Sequence, residues 1–184
     1  MQNFFKDYFS LINSTTRGIG SSELTEVANL IKSINIDGKK VILCGNGGSA
    51  AMASHVSVDL TKAAGIKAIN FNEADLLTCF ANDYGFNHVF EKAVEFYGNE
   101  GDLLILISSS GQSKNVIAAA KKAKELGISV VTLTGFDSNN PLKQLGEINL
   151  WANSNAYNIV EMTHHIWLLS IVDFLVGDIY YDSH

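Results

Sequence analysis

Four residues in two helical patterns have the types and spacing for proton transfer or metal binding. His55 and Asp59 lie four apart in SAAMASHVSVDLTK, and Glu161 and His165 lie four apart in the apolar pattern that begins near Tyr157. Residues four apart share one helix face, so each pair presents an imidazole beside a carboxylate. If the two faces meet, two nitrogens and two carboxylates converge, a donor set that suits zinc or a similar divalent metal. Without metal, the same groups offer an acid–base pair. His164 and His165 are equally readable as helix residues, one facing solvent and the other bonded at an interface. His88 in GFNHVF and the methionines Met52 and Met162 are read as structural.

Two loops ahead of helical patterns are shaped for an anion. In KKVILCGNGGSAAMASHVSVDLTK an apolar run enters Gly45-Asn46-Gly47-Gly48-Ser49. Glycines let the backbone approach a ligand, and the following helix N-terminus supplies free N–H groups and a positive dipole end. The spacing from Gly45 through Gly47 to Ala50 satisfies the loose dinucleotide pattern. That pattern also wants an acid about twenty residues on, and GIKAINFN holds none before Glu73. No Gly-Lys-Ser/Thr follows either, so no nucleotide cofactor is expected. In the second loop, LLILISSSGQSKN, Ser108, Ser109, Ser110 and Ser113 sit between a strand and a helix. Four hydroxyls with helix N–H groups make a neutral cradle for a phosphate monoester.

These loops need a scaffold that puts strand ends beside helix starts, and the rest of the chain spells one out. Strands are expected at KKVILCG, IKAINF, GDLLILIS, ISVVTLTG and EINLWA. Helices are expected at FFKDYFSLI, at SSELTEVANLIKSI with Ser21 or Ser22 as cap, after each loop, on both sides of NDYGFN, and over the final apolar run. Apolar runs alternating with amphipathic helices indicate a parallel sheet covered on both faces. The expectation is an α/β three-layer sandwich with a flavodoxin-like central parallel sheet, in one domain spanning residues 1–184.

Composition narrows the partners. The 184 residues are 47% hydrophobic and 17% charged, which describes a globular chain. A net charge of −6 argues against direct nucleic-acid binding. Cys44 and Cys79 suit a reducing compartment, and no basic leader opens the chain, so a cytoplasmic protein is expected. IWLLSIVDFLVGDIYY is apolar, yet Asp173 and Asp178 interrupt it. The run is therefore read as a core or subunit-contact helix and not as a membrane span.

Taken together, GNGGS after a strand, NDYGFNHVF, ISSSGQSKNVIAAAKKAKELGISVVTLTG and a late Glu/His helix resemble the sugar isomerase (SIS) domain family, and within it the phosphoheptose isomerase branch. The resemblance runs from about Gly38 to Leu175. It implies interconversion of sedoheptulose 7-phosphate and a heptose 7-phosphate, D-glycero-D-manno-heptose 7-phosphate, for bacterial surface glycans such as lipopolysaccharide. It also implies a homotetramer with sites at subunit contacts. By the same resemblance Asn46, Gly47, Gly48 and Ser49 lie against the sugar, and Asn82 and Asp83 contact it. Ser108, Ser109, Ser110 and Ser113 hold the phosphate, and His55 binds metal.

The departures fall in the chemistry. Where the branch has glutamate four residues after its first histidine, this chain has Asp59. The branch's last helix carries a glutamine and, eight residues later, a second histidine. The corresponding places here are Glu161 and Leu169 or, shifted by one, Val160 and Leu168. Asp59 or Glu161 is expected as the proton-abstracting base with His165, ahead of His164, as its partner. His55, Asp59, Glu161 and His165 are the expected ligands of a zinc or similar ion. Loss of the second histidine leaves a competing expectation, a phosphosugar-binding sensor or partner scaffold without turnover.

Overall fold

A computed structural model describes residues 3–180. Two helices open the chain, α1 (Phe4–Thr16) and α2 (Ser21–Ile36). Strand β1 (Val41–Gly45) leads to α3 (Gly48–Lys62), and β2 (Ala68–Asn70) to α4 (Ala74–Tyr84) and α5 (Val89–Tyr97). The second half runs β3 (Leu103–Ser108), α6 (Lys114–Glu125), β4 (Ser129–Gly135), β5 (Ile148–Ala152) and α7 (Tyr157–Val176). Every ladder is parallel, and the order is β2-β1-β3-β4-β5. This is the flavodoxin-like arrangement, in which the direction of winding reverses between β1 and β3.

Strand alternation sorts the core into two layers. Val41, Leu43, Leu103, Ile105 and Ile107 face a cluster with residues of α2, α3 and α7. Ile42, Cys44, Leu104 and Leu106 face the other way, onto α5 and α6. Both sides of the sheet are therefore dry, which is why its central strands read as unbroken apolar runs. The expected cap of α2 is corrected. Gly20 is the N-cap, while Ser21 and Ser22 lie inside the first turn and the Ser22 hydroxyl bonds Glu23.

Helix α7 is long and apolar enough, by length and composition, to cross a membrane. Its apolarity has a local cause: Val160, Trp167, Leu168, Ile171 and Val172 are buried in the sheet-facing cluster. The Trp167 indole N–H also donates to the carbonyl of Thr16, tying α7 to the end of α1.

At the N-terminal edge of the sheet, opposite the loops, Asp102 is buried and fully bonded. Its carboxylate accepts from the Lys40 backbone, the Lys40 ammonium and the Asn99 backbone. Burial alone would raise the Asp102 carboxyl, but those donors, the Lys40 ammonium foremost, outweigh it and hold the group below the ordinary aspartate value. Asp102→Asn is expected to lower stability by about 3 kcal/mol, since Lys40 loses its counter-charge and one donor faces an amide. A shift of the urea midpoint at unchanged slope measures it.

Candidate active site at the strand switch point

Both sequence-predicted loops arise at the reversal of strand order, one from the end of β1 and one from the end of β3. Gly45 and Ile107 are ladder partners, so the loops begin side by side. Crevices at such reversals are where open parallel sheets bind ligands. The two loops are also joined directly. The amide of Asn46 donates to Asn115 Oδ1 at 3.0 Å, and the amide of Asn115 donates back to Asn46 Oδ1 at 2.9 Å. Asn115 is buried in the first turn of α6, and its Oδ1 also accepts from the Val116 backbone. Sequence reasoning missed this residue. A polar side chain in the otherwise apolar NVIAAA run was the available signal.

The serine loop has the features of an anion cradle. Ser108 Oγ donates to Ser113 Oγ at 3.1 Å, and Ser110 Oγ accepts from the Gln112 backbone. Ser109 is buried and its hydroxyl has no hydrogen-bond partner, a cost that a bound acceptor would relieve. Ser113 is the N-cap residue of α6 with no side-chain cap bond, so it leaves helix N–H groups available. The bend at Gly111 has φ +64°, and a Cβ there would run into the buried Asn140 side chain, so only glycine fits.

In the first loop, Gly47 takes φ 55°, ψ −122°, a conformation open essentially to glycine alone, and Gly48 begins α3. Ser49 is buried at the foot of the helix. A Cβ on Gly48 would overlap the carboxylate of Glu161. That carboxylate therefore reaches across from α7 and lies over the first turn of α3, where the free N–H groups and helix dipole favour negative charge. Val160, by contrast, is buried against Gly135. Of the two residues, it is Glu161 and not Val160 that lies beside the glycine loop. Glu161, His165 and Leu169 form one half-buried strip of α7.

His165 meets His55 two turns into α3. Nε2 of His165 is 3.0 Å from Nδ1 of His55, and Nε2 of His55 is 3.2 Å from Asp59 Oδ2. The His165 imidazole is pushed to a lower pKa by burial first and His55 second, with Asp59 opposing. Three of the four expected metal ligands thus meet, while Glu161 stands apart over Gly48. Among the described residues no group of three His, Cys, Asp or Glu side chains is arranged to hold a metal ion. Both nitrogens of His55 already face a partner. The donor set expected for zinc is not assembled.

Asn82 and Asp83 are exposed at the end of α4, bonded to each other and, through Asp83, to Cys79, and they make no bond to either loop. Met162 is exposed and is not a packing residue within the chain, whereas Met52 is buried. His88 is exposed and pairs with Glu91 at 2.6 Å. A cavity of about 650 Å³ lies beside β2 and α4, lined by Phe71, Leu76, Cys79, Phe80 and Tyr97, and takes in neither loop.

Comparison with known proteins agrees with this architecture. The SIS domain family matches residues 4–135, which span β1 to β4 and both loops, and the chain belongs to that family. It is similar to the phosphoheptose isomerase of Fusobacterium nucleatum, with 44% identity over 156 residues that cover 82% of this chain and 80% of that protein. The structure of phosphoheptose isomerase from Neisseria gonorrhoeae superposes with a TM-score of 0.87 at 31% identity, covering 96% of this chain and 98% of that one. That of Francisella tularensis gives 0.88 at 27% identity over the same shares.

His164, next to the strip, is wholly buried, and its Nε2–H donates to the carbonyl of Thr134 at 2.9 Å. Its Nδ1 has no partner, and burial pushes its pKa down to about 4 despite that bond. The unfolded chain takes up the proton near pH 6.5 and the folded one near 4. Stability should therefore be full above about pH 6.5 and fall by on the order of 3 kcal/mol as pH drops through that window. Denaturant titrations from pH 7 to 4 measure the slope, and His164→Gln should flatten it.

Proposed function

We propose that this chain is a phosphoheptose isomerase of the SIS domain family, converting sedoheptulose 7-phosphate to the aldose heptose 7-phosphate. The observation that carries this reading is the carboxylate of Glu161 over the glycine loop, beside a serine loop with an unpartnered buried hydroxyl. A phosphate seated by Ser108, Ser109, Ser110, Ser113 and the α6 N-terminus would leave the sugar to extend toward Asn46, Gly47, Gly48 and Glu161. Aldose–ketose conversion needs one group to move a proton between neighbouring carbons and another to serve the oxygens. Glu161 is suited to the first task and His165, one turn later on the same strip, to the second. A binding-only module has no need of a carboxylate held over the ligand crevice.

One SIS domain acts in each chain, and the assembly is a homotetramer. Phe4, Phe5 and Phe9 on α1 with Met162, Ile166 and Phe174 on α7 are 43–68% exposed. So many large apolar side chains on two helices support a subunit contact. Asn82 and Asp83 would reach substrate in such an assembly. Cys44 and Cys79 are free thiols, which suits a cytoplasmic enzyme.

Sedoheptulose 7-phosphate incubated with purified protein should yield an aldose signal by NMR. Glu161→Gln should keep saturable binding and lose turnover by about 100-fold or more. Binding by the unmodified protein with no aldose formed would contradict the proposal. Gly48→Ala gives a second check. The new methyl meets only the far end of a flexible side chain, so folding should survive within about 1 kcal/mol. Displacing the carboxylate should still cost roughly 100-fold in kcat.

A further inference from the structure

The serine loop is not held by its own side chains alone. It is gripped from the β4 side, by the end of that strand and the turn after it. The carbonyl of Ser109 accepts from the N–H of Gly135 at 2.9 Å, and the carbonyl of Gly111 accepts from the N–H of Leu142 at 3.1 Å. In a planar trans peptide the N–H lies opposite the carbonyl. Strand β3 runs between β4 and β1, so turning the Ser109 carbonyl toward β4 turns the Ser110 N–H toward β1 and the crevice. With the Gly111 carbonyl turned to Leu142, the Gln112 N–H points the other way and donates to Ser110 Oγ at 3.2 Å. The two grips therefore decide which groups of the loop an anion meets.

Both grips belong to a segment folded around one buried side chain. Asn140 is 1% exposed. Its Nδ2 donates to the carbonyl of Asp137 at 2.8 Å and, at a longer 3.4 Å, to that of Gly135. Its Oδ1 accepts from the N–H of Lys143 at 2.9 Å. The amide thus ties Gly135, which holds Ser109, to the stretch around Leu142, which holds Gly111. The same side chain fills the space beside Gly111 that a Cβ would need. With its polar groups given to the backbone, Asn140 acts on the loop by shape and not by contact with an anion.

We propose that Asn140 is a positioning residue for the substrate phosphate: it fixes the spacing of the two grips and so the crevice face of the Ser108–Ser113 loop. The proposal rests on the phosphate reading of that loop made above. The phosphate is the same group in the sugar and in the enediol, so a looser hold on it removes uniform binding, which shows in KM and not in kcat.

The test reads affinity and rate separately. Asn140→Ala should raise KM for sedoheptulose 7-phosphate about 10- to 30-fold with kcat within about threefold, and raise Kd for inorganic phosphate by a similar factor. Gly111→Ala, which drives a methyl against Asn140, should raise both by about as much. The double variant should fall well short of the product of the two, since both act through one contact. Asp102→Asn, at the opposite edge of the sheet, controls for lost stability and should leave KM within about twofold. One further reading needs no variant to fold. On titrating ¹⁵N-labelled unmodified protein with inorganic phosphate, the Asn140 side-chain amide should shift with the Ser110 and Gln112 N–H signals at one common Kd. Unchanged KM in Asn140→Ala, a loss confined to kcat, an equal KM rise in Asp102→Asn, or losses that multiply in the double variant would overturn the positioning role. So would an Asn140 amide that ignores phosphate while Ser110 responds. Phosphate shifts at the loop without conversion of the sugar would overturn the isomerase reading and leave this one standing.

Discussion

A parallel sheet that reverses its winding direction leaves a crevice at the carboxyl ends of the two strands on either side, because their following helices depart to opposite faces. In this protein those strands are β1 and β3, and all of the proposed chemistry is hung from that crevice. The loops after β1 and β3 supply helix N-termini with unsatisfied N–H groups, which favour an anion before any side chain is considered. The reciprocal amide pair of Asn46 and Asn115 then sets the width of the crevice by holding loop to loop. Two hydrogen bonds between buried or half-buried amides are modest in energy. Their geometric effect is larger, since neither loop can shift without breaking both.

Helix α7 is laid across this frame as a second element. Its sheet-facing residues bury Trp167, Leu168 and Ile171, and its half-buried strip turns Glu161 and His165 toward α3. The two functional groups are separated by the crossing of the helices. Glu161 meets the start of α3 at Gly48, and His165 meets it two turns later at His55. Gly48 is small because a carboxylate occupies the space a side chain would need.

The strands were legible in the chain because both faces of the sheet are dry, so LLILIS and VVTLTG read as buried runs without any tertiary knowledge. The two anion loops were legible for a similar reason, as glycine and serine clusters between an apolar run and a helical period. The pairing of His55 with Asp59 follows from helix spacing alone. How α3 and α7 cross could not be read from spacing, and that crossing decides whether Glu161 joins the histidines or leaves them. A four-ligand metal set therefore looked well formed in sequence and is not gathered in the structure. Asn115 stood out in the sequence only as a polar residue in an apolar helical run, and its role could not be read there because it lies in a contact across 69 positions of chain. Ser21 and Ser22 looked like caps, but the first helical turn begins one residue earlier than a serine cap would require.

The central claim is that the crevice performs proton transfer on a bound ketose phosphate through an enediol. Deuterium uptake in heavy water, followed by NMR on sedoheptulose 7-phosphate with the unmodified protein, tests it most directly. A carboxylate that takes a proton from carbon exchanges it with solvent, so deuterium should appear at C2 of the aldose and at C1 of recovered ketose. Sugar that is bound yet recovered unconverted and free of deuterium would contradict the account.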